Sequence, residues 1–151
     1  MSDMQDELRQ LYQEVIFDHN RSPRNFHAME DANHVAQGHN PLCGDQLTVY
    51  VRTEGGVVRD VSFVGQGCAI SKASASLMTE AVIGKSEAEV DEMFRGFHAM
   101  LTEEEDTEHD LGKLEVLAGV KEFPVRVKCA TLAWHTLHNA LIGSGEKAKT
   151  E

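Results

Sequence analysis

The sequence predicts an α+β domain, with several helices packed on a small antiparallel sheet. Two alternating segments, 46–53 and 57–64, are separated only by Glu54-Gly55-Gly56, which makes them a hairpin. Helical periodicity flanks that hairpin on both sides. A chain of 151 residues, 41% hydrophobic and 26% charged, is long enough for one core without a disulfide framework.

Leu8, Leu11, Tyr12, Val15 and Ile16 recur at helical spacing, so an amphipathic helix runs from Asp3 to about Asp18. Asn20-Arg21-Ser22-Pro23-Arg24-Asn25 stops it, and Asn25 to Pro41 has no strong period. In the hairpin, Leu47, Val49 and Val51 share one face. So short a connection makes its strands antiparallel. Gly65-Gln66-Gly67 ends the second strand and lets the backbone turn beside Cys68. Ile70, Ala73, Leu77 and Ala81 then place a helix over Ala69 to Ile83, with Gly84 just past its end. Ser86-Glu87-Ala88-Glu89 is a capping box and opens a helix through about Met100. Leu111 to Val120 is expected as a short helix closed by Pro124. The last helix is placed from near Cys129, with Leu132, Ala133, Leu137, Ala140 and Leu141 before Gly143-Ser144-Gly145. One domain thus covers residues 1–145, and 146–151 is expected to be a disordered tail.

Charge narrows the choice of partner. Twenty-five Asp and Glu against 14 Lys and Arg leave a formal −11. Such a surface repels phosphate backbones and anionic lipid heads, so nucleic acid and membranes are poor partners. Six of the acids crowd into 102–110, which reads as a solvated linker or frayed helix end. The start, Met1-Ser2-Asp3-Met4-Gln5-Asp6-Glu7, lacks the basic and apolar regions of a signal peptide. The longest stretch free of charged side chains, Cys129 to Gly145, contains Thr131, His135, Thr136, His138 and Asn139 and is no membrane span. Three cysteines without an export signal point to a reducing compartment, the cytoplasm, and to thiols kept for metal or sulfur chemistry.

Each cysteine is expected at the edge of an element. Cys43 stands just before the first strand, Cys68 precedes the helix at Ala69, and Cys129 opens the last helix. Ligands and nucleophiles favour such positions, whereas structural thiols sit within apolar faces. A helix N-terminus also favours the thiolate, and Cys68 and Cys129 are assigned that environment. Asp45 lies two residues after Cys43, on the same side of an extended segment. Three thiolates and a carboxylate make a closed tetrahedral set suited to zinc. That set carries excess negative charge, which Arg126 and Lys128, just before Cys129, are placed to offset. Three unrelated buried thiols remain the alternative. Among rival ligands, His135 and His138 point about 120° and 180° away from Cys129 at helical spacing. His39, four residues before Cys43, is within reach but reads better as a loop histidine. There is no Cys-x-x-Cys, and Gly65-Gln66-Gly67 lacks the further glycines or lysine of a phosphate loop.

Three blocks resemble the IscU/NifU N-terminal family, whose members assemble iron–sulfur clusters. They are Asn40-Pro41-Leu42-Cys43-Gly44-Asp45, Gly65-Gln66-Gly67-Cys68-Ala69-Ile70-Ser71 and Val125-Arg126-Val127-Lys128-Cys129-Ala130-Thr131-Leu132-Ala133-Trp134. The resemblance runs from the first helix to about Ile142 and includes the order and spacing of the blocks. Within the family the chain looks like the SufU-type branch. Scaffold-type relatives carry a histidine immediately before the third cysteine, where this chain has Lys128. They also lack an extra segment that falls here roughly between Gly96 and Lys121. Their Leu-Pro-Pro-Val-Lys stretch, read by an Hsp70-type chaperone, is replaced by Glu122-Phe123-Pro124-Val125-Arg126, which weakens the case for that partnership.

The resemblance implies the IscU fold and a zinc-dependent sulfurtransferase. By motif match, Cys43, Asp45, Cys68 and Cys129 are the zinc ligands. Cys43 matches the cysteine that accepts persulfide sulfur from a SufS-type cysteine desulfurase, whose pyridoxal phosphate stays with that partner. A downstream cluster assembly complex then takes the sulfur. The alternative is a scaffold that binds iron and assembles a transient [2Fe–2S] cluster. Lys128 weighs against it, because an ammonium cannot ligate iron. A non-catalytic module in which zinc only stabilises the fold is the third possibility.

Overall fold

Three antiparallel strands form the platform of the computed structural model, which describes residues 13–102, 112–143 and 148–149. The strands β1 (His34–Asn40), β2 (Asp45–Glu54) and β3 (Val57–Gln66) are joined by β4 (Ala148–Lys149) in the order β3-β2-β1-β4. β2 and β3 are the expected hairpin. Gly55 and Gly56 take φ values of 61° and 79°, the left-handed geometry that a two-residue turn requires. Leu47, Val49 and Val51 lie opposite Gly65, Phe63 and Val61 on the buried face.

β1 is a strand that periodicity did not reveal. It pairs with β2 from His34↔Val51 to Asn40↔Asp45. Its inward positions are Ala36, Gly38 and Asn40, while Val35 points outward and is 53% exposed. The hydrophobic alternation is therefore absent, although the pleat is regular. Gly38 is small for a reason: a Cβ there would collide with Thr136 Oγ1 and come within 3.1 Å of Leu132 Cδ1 on the last helix. Gly38→Ala is expected to destabilise the domain by about 2 kcal/mol, read as a lower Tm in thermal melting.

The helices cover the inner face. Residues 13–21 form α1, from which Val15 and Ile16 pack against the core. The predicted turns before residue 13 lie outside the described residues. α2 (Ala69–Val82) matches expectation closely. α3 (Glu87–Thr102) opens with the predicted capping box, in which Ser86 Oγ accepts from the Glu89 N–H at 3.1 Å and Glu89 Oε1 accepts from the Ser86 N–H at 3.2 Å. The expected short helix is a 3₁₀ helix, Gly112–Glu122, burying Leu114, Val116, Leu117 and Val120. The acidic run 103–110 lies outside the described residues. Ala148–Lys149, in the tail expected to be disordered, pairs in parallel with Gly38 and His39.

The last helix, α4 (Pro124–Ile142), begins five residues before the expected start near Cys129. Pro124, read as a stop, is instead its first residue. Proline suits that position because its φ is already helical and its missing N–H would have had no partner. α4 packs on α2, β1 and β2, and α2 reaches β3. Trp134 is fully buried and stacks on Phe97 at 5.3 Å. No helix among the described residues is long and apolar enough to cross a membrane.

Candidate metal centre

One end of the sheet and two helices bring the cysteines together. Cys43 lies in the turn between β1 and β2, which uses Gly44 at φ 72°. Asp45 opens β2 on its inner, fully buried side. Cys68 is the N-cap of α2, and its sulfur accepts from the Ser71 N–H at 3.4 Å. Cys129 does not open α4, as expected, but sits inside it and is fully buried. Only Cys68 therefore has the helix N-terminal environment assigned to two of the thiols. The Ser74 hydroxyl donates to the Ala130 carbonyl at 2.5 Å, which ties the helix of Cys68 to that of Cys129.

Cys43, Asp45 and Cys129 offer ligand atoms that all lie within 4.8 Å of one another. The Cys129 and Cys43 sulfurs are 3.1 Å apart, yet all three cysteines are free thiols. Cys68 falls outside that set but adjoins it, its backbone N–H donating to Asp45 Oδ1 at 2.8 Å. The Cys68 thiol is lowered to about 6, chiefly through the Cys129 thiol beside it, with N–H groups of the α2 N-terminus contributing. Cys129 is pushed up chiefly by its hydrogen bond to Cys68 and by burial.

The surroundings are built for the carboxylate. A Cβ on Gly67 would lie 2.6 Å from Asp45 Oδ1, so a glycine leaves the space that Asp45 fills. Gly65, expected to end the strand, instead lies within β3 opposite Leu47 at φ 147°, and a Cβ there would strike the Gln46 carbonyl. Arg126 is held above its ordinary value, chiefly by the Cys68 charge and then by Cys129. Lys128 makes no side-chain hydrogen bond or ion pair to the cluster among the described residues.

The histidines stand aside. His39 lies on the opposite pleat from Asn40, in register with Gln46 and Lys149. His135 and His138 face α3, where the His135 ring is 5.1 Å from Phe94 and His138 Nδ1 is 4.0 Å from Asp91. Asn40 is the residue that sequence reasoning missed as part of the site. It is fully buried at the end of β1, and its Nδ2 lies 3.5 Å from both Asp45 Oδ2 and Cys129 Sγ. Its signal was an asparagine on an inward pleat, which could be read only once β1 was known.

A buried carboxylate among thiols is costly unless a cation or proton accompanies it. The donor set of soft sulfur and one oxygen fits a thiophilic divalent metal. Fold and cluster together define an α+β domain with a cysteine–aspartate cluster whose donor set suits a metal. The chain belongs to the NifU-like N-terminal domain family, whose model matches residues 11–143. It is 42% identical over 135 residues to the zinc-dependent sulfurtransferase SufU of Bacillus subtilis (strain 168), covering 89% of this chain and 91% of the relative. It is also 42% identical over 135 residues to the iron–sulfur cluster assembly scaffold protein IscU of Streptococcus pyogenes serotype M1, covering 89% and 84%. A crystal structure of a putative iron–sulfur cluster assembly scaffold protein for the SUF system, from Fervidobacterium islandicum AW-1, matches with a TM-score of 0.81. That match is 39% identical and covers 88% of this chain and 98% of the other.

Proposed function

We propose that the chain is a zinc-dependent sulfurtransferase of iron–sulfur cluster assembly. It takes sulfur from a SufS-type cysteine desulfurase and passes it to a downstream assembly complex in the cytoplasm. Cys43, Asp45, Cys68 and Cys129 hold the metal. One observation carries the reading: Cys43 sits half-buried in a turn beside the 60% exposed Leu42, with its sulfur against the buried Cys129. A partner can reach Cys43 without opening the core.

Held by these residues, zinc would keep the thiols deprotonated and lower their nucleophilicity. Freed Cys43 thiolate attacks the outer sulfur of a persulfide on the desulfurase. The donor's S–S bond breaks, the donor cysteine leaves as thiolate, and Cys43 becomes the persulfide. Asp45 and Cys129, both buried, keep their places, and Arg126 offsets the remaining negative charge. The second reading, a scaffold for a transient [2Fe–2S] cluster, draws on the same cysteine–aspartate group and on relatives that bear the scaffold name. Lys128 favours the first reading, since its ammonium offers no nitrogen ligand.

Desulfurase turnover of cysteine, measured with and without the protein, tests the proposal. Turnover is expected to rise several-fold with the protein present, and the purified protein to carry about one zinc and no visible absorption. Unchanged turnover, with a brown preparation holding stoichiometric iron and sulfide, overturns it in favour of the scaffold.

A further inference from the structure

We infer that Asn40 is a positioning residue that orients Asp45 and Cys129 and pins the turn that carries Cys43. The inference rests on the metal-centred reading above. Asn40 is the last residue of β1 and lies directly across the ladder from Asp45, the first residue of β2. It is fully buried on the inner face, where an apolar residue would be the ordinary choice.

The orientation of its amide is set from one side. Asn40 Oδ1 accepts from the Leu42 N–H at 3.3 Å, inside the turn that leads to Cys43. Nδ2 is thereby aimed the other way and has two hydrogens to place. Two acceptors stand there, Asp45 Oδ2 and Cys129 Sγ, each at 3.5 Å. That is an ordinary N–H···S distance and a long contact to the carboxylate. One side chain therefore touches two candidate ligands and pins the turn that carries a third.

Asp45 is held from its other oxygen as well, by the Cys68 N–H at 2.8 Å. With the longer Asn40 contact on Oδ2, each carboxylate oxygen faces a donor. Cys129 is fixed by α4 and by the same amide. Cys43 receives no contact from Asn40; only the backbone one residue earlier is held. Groups that orient metal ligands in this way commonly change affinity by about 10- to 100-fold when removed.

The test compares Asn40→Leu, which keeps the branch at Cγ and removes both donors, with Asn40→Ser, which keeps one donor. Three quantities are read: zinc affinity by competition with a chromophoric chelator, the visible spectrum of the cobalt(II) form, and melting of the metal-free protein. Asn40→Leu is expected to weaken zinc about 10- to 100-fold and to alter the cobalt bands, with Asn40→Ser between it and the parent. Metal-free melting should stay close to that of the parent. Parent-like zinc affinity and cobalt bands in a folded Asn40→Leu overturn the inference. So does a loss of affinity that only follows a loss of metal-free stability. If Asn40→Leu does not fold, Asn40→Ser decides by the same readouts. A parent protein that binds neither zinc nor cobalt would sink the metal-centred reading itself, a result distinct from failure of the Asn40 assignment.

Discussion

Cys43→Ser is expected to reduce sulfur acceptance from a desulfurase by about 10³-fold or more while the domain stays folded. A serine hydroxyl stays protonated and cannot carry a persulfide, so no other property of the site compensates. The fold should survive because Cys43 lies in the turn 41–44, outside the cluster of buried core residues. Part of the metal should remain, since Asp45, Cys68 and Cys129 are untouched. Metal analysis beside the transfer assay separates the two effects. Cys129→Ser should behave differently, because Cys129 is fully buried in α4 beside Ala130, whose carbonyl accepts from Ser74 on α2. That variant is expected to lose both metal and stability.

Removing the metal should lower Tm by roughly 10 °C. The candidate ligands come from the β1–β2 turn, the start of β2, the α2 N-cap and α4, and these segments meet only in the native fold. Binding restricted to the native state adds about 4 kcal/mol when free metal exceeds Kd a thousandfold. For a domain of this size each kcal/mol is worth about 2–4 °C. The chelated protein keeps its buried Asp45 without a divalent counter-charge, which acts in the same direction. Thermal melting of metal-loaded and chelated protein checks this, and equal melting would argue against a site that closes over separate elements.

The parts of the fold written in local chemistry were legible in the sequence. Gly55-Gly56 between alternating runs marked the hairpin, and Ser86 with Glu89 marked the start of α3. β1 escaped because tertiary packing, not hydrophobicity, chose its inward residues: Gly38 to admit Thr136 and Asn40 to face the thiols. The start of α4 escaped because a proline that ends one helical stretch also opens the next, with only Phe123 between them. Misplacing that start gave Cys129 a helix N-terminal environment that it does not have. The candidate site was legible in part: the fold brings Cys43, Asp45 and Cys129 together, whereas the four-residue set came from the family resemblance, since the cysteine spacing alone matches no zinc-finger pattern. Their supporting residues were less so. The need for glycine at Gly67 arises from Asp45, which is distant in sequence, and Asn40 acts through a strand that pattern reading did not find.

Sulfur transfer to Cys43 is tested most directly by peptide mass spectrometry of the metal-loaded protein after incubation with a cysteine desulfurase and cysteine. The account predicts one added sulfur on the peptide that contains Cys43, and none on those of Cys68 and Cys129. Added sulfur found mainly on Cys68 or Cys129, or on no cysteine at all, would contradict it.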